Sequence, residues 1–141
     1  MDTSDSARYF APLAGARYIA LTTFRRSGAA VSTPVWFAEW DGALYVFSDA
    51  DAGKVKRLRH TARVTVAPCT ATGTVRGPAL DARGRIVMDS AEARAARDAL
   101  ARRYGFQWRA LAAYNGLMRA ISTLRRQADD AGDTYLVIER P

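Results

Sequence analysis

The sequence predicts a single α+β domain over residues 1–141, with six or seven mostly antiparallel strands curled into a small barrel and two or three helices outside it. Three observations predict this fold. Runs rich in β-branched and aromatic residues recur between turn signals through residues 17–88 and again at 134–139. An Asp41-Gly42 dipeptide, a strong hairpin signal, stands between two of those runs. The longer helical patterns are confined to residues 90–126.

Each element has a local reason. Residues 1–16 read as a short N-terminal helix or arm, ended by Pro12 and Gly15. Residues 17–26 form the first strand, and Ser27-Gly28 turns the chain. Residues 30–40 form the second strand, although Pro34 cannot donate to a ladder and so marks an edge or a bulge. Residues 43–48 return from the Asp-Gly turn to complete a three-stranded meander. Ser48, Asp49 and Asp51 offer N-caps for a short helix at 52–61, with Val55 and Leu58 facing the core. Residues 62–69 alternate as a fourth strand, and 73–88 read as two more, joined near Gly77-Pro78 or Asp81–Gly84. Asp89-Ser90-Ala91-Glu92 has capping-box spacing and opens a helix to about 104, which Gly105 stops. Residues 107–126 predict another helix, with Trp108, Leu111, Met118 and Ile121 buried. Residues 134–139 form the last strand.

Composition excludes several kinds of chemistry. A single Cys69 rules out an internal disulfide framework and a multi-cysteine metal site. With His60 as the only histidine, neither a His-ligated metal nor a Ser-His-Asp triad is expected. No apolar run approaches the roughly 18–20 residues of a membrane span, and the first twenty residues lack the basic region of a signal peptide. A soluble, cytoplasmic protein is the expectation.

The net charge of +7 is unevenly spread. Residues 52–85 carry eight basic residues against Asp81, and residues 94–126 carry eight arginines against Asp98. Arginine outnumbers lysine 19 to 2, yet both lysines fall in Gly53-Lys54-Val55-Lys56. A compact ammonium suits a phosphate, and a helix start offers free N–H groups and a partial positive charge. Lys54, Lys56 and Arg57 are thus candidates to hold a phosphate or carboxylate, the alternative being a solvated basic face. His60 is expected at the surface, Cys69 in the core, and Asp129, Asp130 and Asp133 in a solvated loop. Trp36 and Trp40 share one strand face, and Tyr45 and Phe47 share another. The arginines of 94–126 have three candidate roles: solvated helix surface, part of a cofactor groove, or a patch for another anion.

In combination, the strand Gly28–Phe37, the Asp-Gly hairpin, the strand ending in Ser48 and Gly53–Arg59 before Ala62–Cys69 resemble the pyridoxamine-phosphate-oxidase-like split-barrel superfamily. The likeness is greater to its coenzyme F420-dependent (deazaflavin) reductase branch, and it runs through residues 17–88. It implies a split β-barrel that forms a homodimer and holds a flavin or deazaflavin between subunits. Carried onto this chain, it places the cofactor phosphate against Lys54, Lys56 and Arg57, and the ring along Ser32, Thr33, Pro34, Val35 and Trp36. Ser48 falls near the linker between them. The Asn-Pro-Arg common in that family before the fourth strand is replaced by His60-Thr61-Ala62-Arg63, which removes no charged ligand. The FMN-binding oxidases of that superfamily typically carry an arginine in this strand, and none lies between Ala30 and Trp40, so the resemblance favours deazaflavin over FMN.

The expectation is therefore an oxidoreductase that moves a hydride from reduced F420 to a small electron-poor molecule, such as an activated C=C bond or a quinone. Such chemistry resides in the cofactor and asks the protein for no metal or nucleophile. The sequence assigns no catalytic residue. The alternatives are an FMN-binding oxidase or flavin reductase of the same fold, and a non-catalytic cofactor-binding protein. Nucleic acid ranks last, because no recognised binding motif is present.

Overall fold

A computed structural model gives the fold and describes residues 3–49, 52–110, 113–114, 117–118 and 133–141. Helix α1 (Thr3–Tyr9) and a 3-10 turn (Ala11–Leu13) lead into β1 (Tyr18–Phe24), β2 (Ala30–Val35), β3 (Phe37–Trp40) and β4 (Ala43–Asp49). After these come α2 (Gly53–His60), β5 (Arg63–Cys69), β6 (Leu80–Ile86), α3 (Ser90–Tyr104) and β7 (Asp133–Glu139).

All seven strands pair antiparallel in one sheet of order β2-β1-β5-β6-β7-β4-β3. The two edge strands are consecutive in the chain, with Trp36 alone between them. Residues 30–35 pair with β1 and residues 37–40 pair with β4, so one bent segment joins both edges and curls the sheet into a barrel. Alternation survives the bend. Val35 and Phe37 enter the main core with Ile19, Leu21, Val64 and Ile138, while Trp36 and Ala38 belong to a second cluster under α3.

Helix α2 sends Val55 and Leu58, 1% and 8% exposed, into the main core. It lies so close to β6 that a Cβ on Gly84 would stand 3.0 Å from Leu58 Cδ2 and 3.3 Å from Val64 Cγ1. Glycine there admits the helix. Helix α3 packs against β3, β4 and β7 through Ala96, Ala99, Leu100 and Tyr104. The Asp89 carboxylate caps it by accepting the Glu92 N–H at 3.3 Å, and Gly105, at φ +54°, ends it.

Two contacts secure α3. The Tyr104 hydroxyl accepts the Phe37 N–H at 3.0 Å and shares its proton between the carbonyls of Arg17 (2.8 Å) and Phe37 (2.9 Å). It thereby occupies the edge of β3 immediately after the bend. At the other end of the helix, Arg85 bridges Glu92 (2.6 Å) and Glu139 (2.8 Å), and the Tyr45 hydroxyl donates to Glu92 at 3.2 Å. Burial first, then the Glu92 carboxylate, pushes the Tyr45 hydroxyl well above the ordinary tyrosine range.

Several expectations need correction. Residues 73–88 hold one strand, Leu80–Ile86, and a single bridge between Val75 and Cys69. A turn closed by Gly73 N–H to the Thr70 carbonyl (2.9 Å) and the loss of a donor at Pro78 prevent a second ladder. Helix α2 is capped by Ala52 without a side-chain hydrogen bond, because Ser48 and Asp49 are still committed to β4. Met118 is 43% exposed instead of buried, whereas Trp108 is 6% exposed as expected. Residues 106–110 are helical; Leu111, Ile121, Asp129 and Asp130 lie outside the described residues.

Two predictions follow from the docking of α3. Tyr104→Phe leaves the Phe37 N–H without its partner and is expected to cost about 1–3 kcal/mol, read from urea unfolding. The Arg85 guanidinium holds the Glu92 carboxyl below the usual carboxylate range. Stability from this pair is present above the ordinary Glu value and is lost as pH falls through the lowered one. Glu92→Gln should flatten the acid limb of the stability curve by no more than about 1 kcal/mol, since Arg85 is half exposed.

Candidate functional site

The bend at Trp36 creates the site. Continuing the β3–β4 register two residues beyond Phe37↔Val46 brings Ser48 to the level of Val35, where the strand has already left to join β1. A split opens between β2 and the end of β4. Of the expected residues, Ser32–Trp36 lie along β2 and its bend, Ser48 lies on β4, and Lys54, Lys56 and Arg57 lie on α2, which packs on β1 and β6.

The β2 side offers backbone and neutral side chains. As an edge strand, β2 directs alternate N–H and C=O groups away from β1, with no strand beside them among the described residues. Pro34 is tolerated for that reason. The five expected residues divide between the faces. Ser32 and Pro34 are exposed on the outer face, and Trp36 is half-buried there, stacked on Tyr104 at 4.5 Å and 10°. Thr33 and Val35 point inward, with Thr33 opposite Leu21 and Val35 opposite Ile19. The Thr33 Oγ1 is buried and has no hydrogen-bond partner among the described residues. A buried hydroxyl without a partner costs stability, so this atom has unspent capacity for a ligand. Gly73, at φ +92°, brings the 70–79 loop beside Pro34, its Cβ position 3.8 Å from Pro34 Cδ.

The α2 side offers cations. Ser48 is buried, 4% exposed, opposite Thr134. The first turn of α2 contains no acidic residue, so no side chain of the helix answers the positive end of its dipole. Lys54 is half-buried and Lys56 exposed. At 100° per residue they sit 200° apart around the axis, whereas Lys54 and Arg57 share a face. Arg57 folds back over the helix start, its Nη1 2.7 Å from where a Gly53 Cβ would stand. Its Nε donates to Thr23 Oγ1 at 2.5 Å, and Thr23 pairs with Val31 of β2. Arg57 thus links the helix start to β2 across one strand. Burial first and Arg25 second lower the pKa of its guanidinium.

Lys56 also lines a surface cleft of about 380 Å³ with Phe24, Arg25, Arg26, Arg57, Arg59 and His60. Of these, Arg25 and Arg26 were not singled out from the sequence; the only signal was an arginine pair beside the Ser27-Gly28 turn. The arginines beyond residue 94 have partly structural roles. Arg103 donates to the Ala16 carbonyl and lies 4.5 Å over the Phe37 ring. His60 is exposed and Cys69 buried, with the thiol pKa raised by burial. Among the described residues no group of three His, Cys, Asp or Glu is placed to hold a metal, and no helix is long and apolar enough to cross a membrane.

This architecture has known counterparts. The haem storage protein HutZ of Vibrio cholerae shares 14% identity, with TM-score 0.63 over 100% of this chain and 92% of its own. An FAD-binding protein of Mesorhizobium loti shares 17% identity, with TM-score 0.59 over 95% and 88%. The conserved hypothetical protein Rv2991 of Mycobacterium tuberculosis shares 18%, with TM-score 0.61 over 93% and 77%. Identities this low establish a shared fold. None of the curated proteins matches the sequence. Residues 6–128, however, match the family model described as pyridoxamine 5'-phosphate oxidase. That match covers most of the chain, which belongs to the pyridoxamine 5'-phosphate oxidase family of split barrels.

Proposed function

We propose that the protein is an F420H2-dependent oxidoreductase that reduces a small electron-poor organic molecule, an activated C=C bond or a quinone. The observation that carries this proposal is the bend at Trp36, which leaves a neutral strand edge at Ser32–Trp36, with Lys54, Lys56 and Arg57 supplying cations on α2. A planar ring suits the first and a phosphate the second. The orphaned Thr33 Oγ1 and the acid-free first turn of α2 both fit an anionic, hydrogen-bonding cofactor. Deazaflavin, when bound, supplies the hydride. The chain's part is to bind and orient. Lys54, Lys56 and Arg57 hold the phosphate, the β2 backbone and Trp36 line the ring, and the Trp36–Tyr104 stack excludes water from one side.

We place a second copy of the chain beside this site. Phe106, Tyr114, Leu117 and Met118 are 83%, 58%, 58% and 43% exposed, an apolar display suited to a subunit contact. FMN is the second candidate, favoured by the family and by the FAD-binding protein of the same fold. The absence of arginine from residues 30–40 weighs against it.

Lys54→Ala should weaken F420 binding by about tenfold or more, the scale of one charge-assisted hydrogen bond, while Arg94→Ala changes it less than about twofold. Fluorescence titration reads both, and equal losses would contradict the phosphate placement. Turnover of a model enone by the reduced cofactor separates an enzyme from a purely binding protein.

A further inference from the structure

Tyr18 opens β1 on the same face of the sheet as Ser32, Pro34 and Trp36. The β1–β2 register sets Ala20 opposite Pro34 and Ile19 opposite Val35, so its next step brings Tyr18 level with Trp36 at the bend. The two rings lie 6.4 Å apart at 58°. Tyr104 fixes the backbone beside both. Its hydroxyl donates to the carbonyl of Arg17, just before Tyr18, and accepts the N–H of Phe37, just after Trp36. The hydroxyls of Tyr9, Tyr45 and Tyr104 are all spent in hydrogen bonds within the fold. Tyr18 is half-buried, and its hydroxyl has no partner among the described residues.

The surroundings of this phenol are apolar and sheltered. After β5 the chain reaches Pro34 of β2 at Gly73, and by Val75 it is back beside Cys69. Residues 70–75 therefore arch over β1, which lies between those two strands. Thr70 N–H to the Thr74 carbonyl (3.0 Å) and Thr74 N–H to Thr70 Oγ1 (3.1 Å) close the arch on itself. Ala20, opposite Pro34 on β1, is 3% exposed. Tyr18 stands between Trp36 and the foot of the arch, where it pairs with Cys69. Neither β1 nor β2 carries a carboxylate or a histidine. Among the O–H groups of this face, a phenol gives up its proton far more readily than the alcohols of Thr22 and Ser32.

We propose that the Tyr18 hydroxyl binds the carbonyl oxygen of an α,β-unsaturated carbonyl substrate and protonates that oxygen as the substrate is reduced. The reductant is a reduced deazaflavin or flavin, which gives up two electrons as hydride. That hydride forms the new C–H bond at the β-carbon of the substrate. The C=C pair moves into the bond between the α-carbon and the carbonyl carbon, and the C=O π pair moves to oxygen. The O–H bond of Tyr18 breaks as this oxygen takes the proton. An enol leaves and tautomerises in water, and the tyrosinate recovers a proton from solvent. Protonation rests on the reading above for its hydride donor, whereas carbonyl binding by Tyr18 does not.

Tyr18→Phe keeps the ring and removes only the hydroxyl. Calorimetric titration of the cofactor-free full chain with benzylideneacetone, a planar aryl enone, reads carbonyl binding. Steady-state reduction of the same enone, with whichever reduced cofactor the wild type binds, reads proton donation. The variant should bind the enone at least about threefold more weakly, the scale of one lost hydrogen bond. It should also lose at least about tenfold in kcat, while its affinity for the oxidised cofactor stays within about twofold. A smaller loss in either reading would overturn the assignment. So would a parallel loss of cofactor affinity, which makes Tyr18 part of the cofactor site. A wild type that fails to bind the enone, or that binds cofactor and enone without reduction, overturns it as well. If the wild type holds the enone through Tyr18 but binds neither F420 nor FMN, the reading of function fails and the carbonyl seat stands.

Discussion

The structure depends on one strand serving two partners. Residues 30–35 belong to β1 and residues 37–40 to β4, and the change occurs across a single residue, Trp36. A strand edge released at such a bend exposes backbone groups that must find partners. The Tyr104 hydroxyl supplies them at Phe37, and the Trp36 ring stacks on the same tyrosine. Closure of the barrel and opening of the split are thus one event. The strand that completes the core with Val35 and Phe37 also leaves, among the described residues, an edge with no neighbouring strand along β2.

Charge is distributed around that geometry. Helix α2 stays in place through Val55 and Leu58, and Gly84 lets it approach the sheet. Apolar burial of this kind, roughly 1.5–3 kcal/mol per large side chain, holds a helix whose first turn carries a lysine and no acid. A bound anion stabilises such a helix by mass action, because it binds the folded state alone. The basic face of α2 and the Arg25-Arg26 turn converge on one side of β1, so one end of the barrel concentrates positive potential while the strand edge remains neutral.

Much of this fold was legible in local chemistry. Asp41 at φ +53° and Gly42 at φ +79° make the tight β3–β4 turn, and Asp89 caps α3 as its spacing implies. Val55 and Leu58 are buried where the helical period places them. What escaped depends on distant partners. The bend at Trp36 is fixed by a tyrosine 67 residues beyond Phe37, which no periodicity can reveal. Residues 73–79 carry strand-like composition but meet Pro68 and a hydrogen-bonded turn instead of a neighbouring ladder. That Lys56 also lines a cleft with Arg25 and Arg26 is visible only in the fold. Arg25 and Arg26 gain meaning only when the turn is folded against α2.

The central claim is that the split and its cations hold a deazaflavin in preference to FMN. The most direct measurement is a fluorescence titration of the wild-type protein with coenzyme F420 and, separately, with FMN, at low and at physiological salt. Low-micromolar F420 binding, tighter than FMN and weakened by salt as a charged groove requires, is the result this account predicts. Preference for FMN, or binding of neither cofactor, would contradict it.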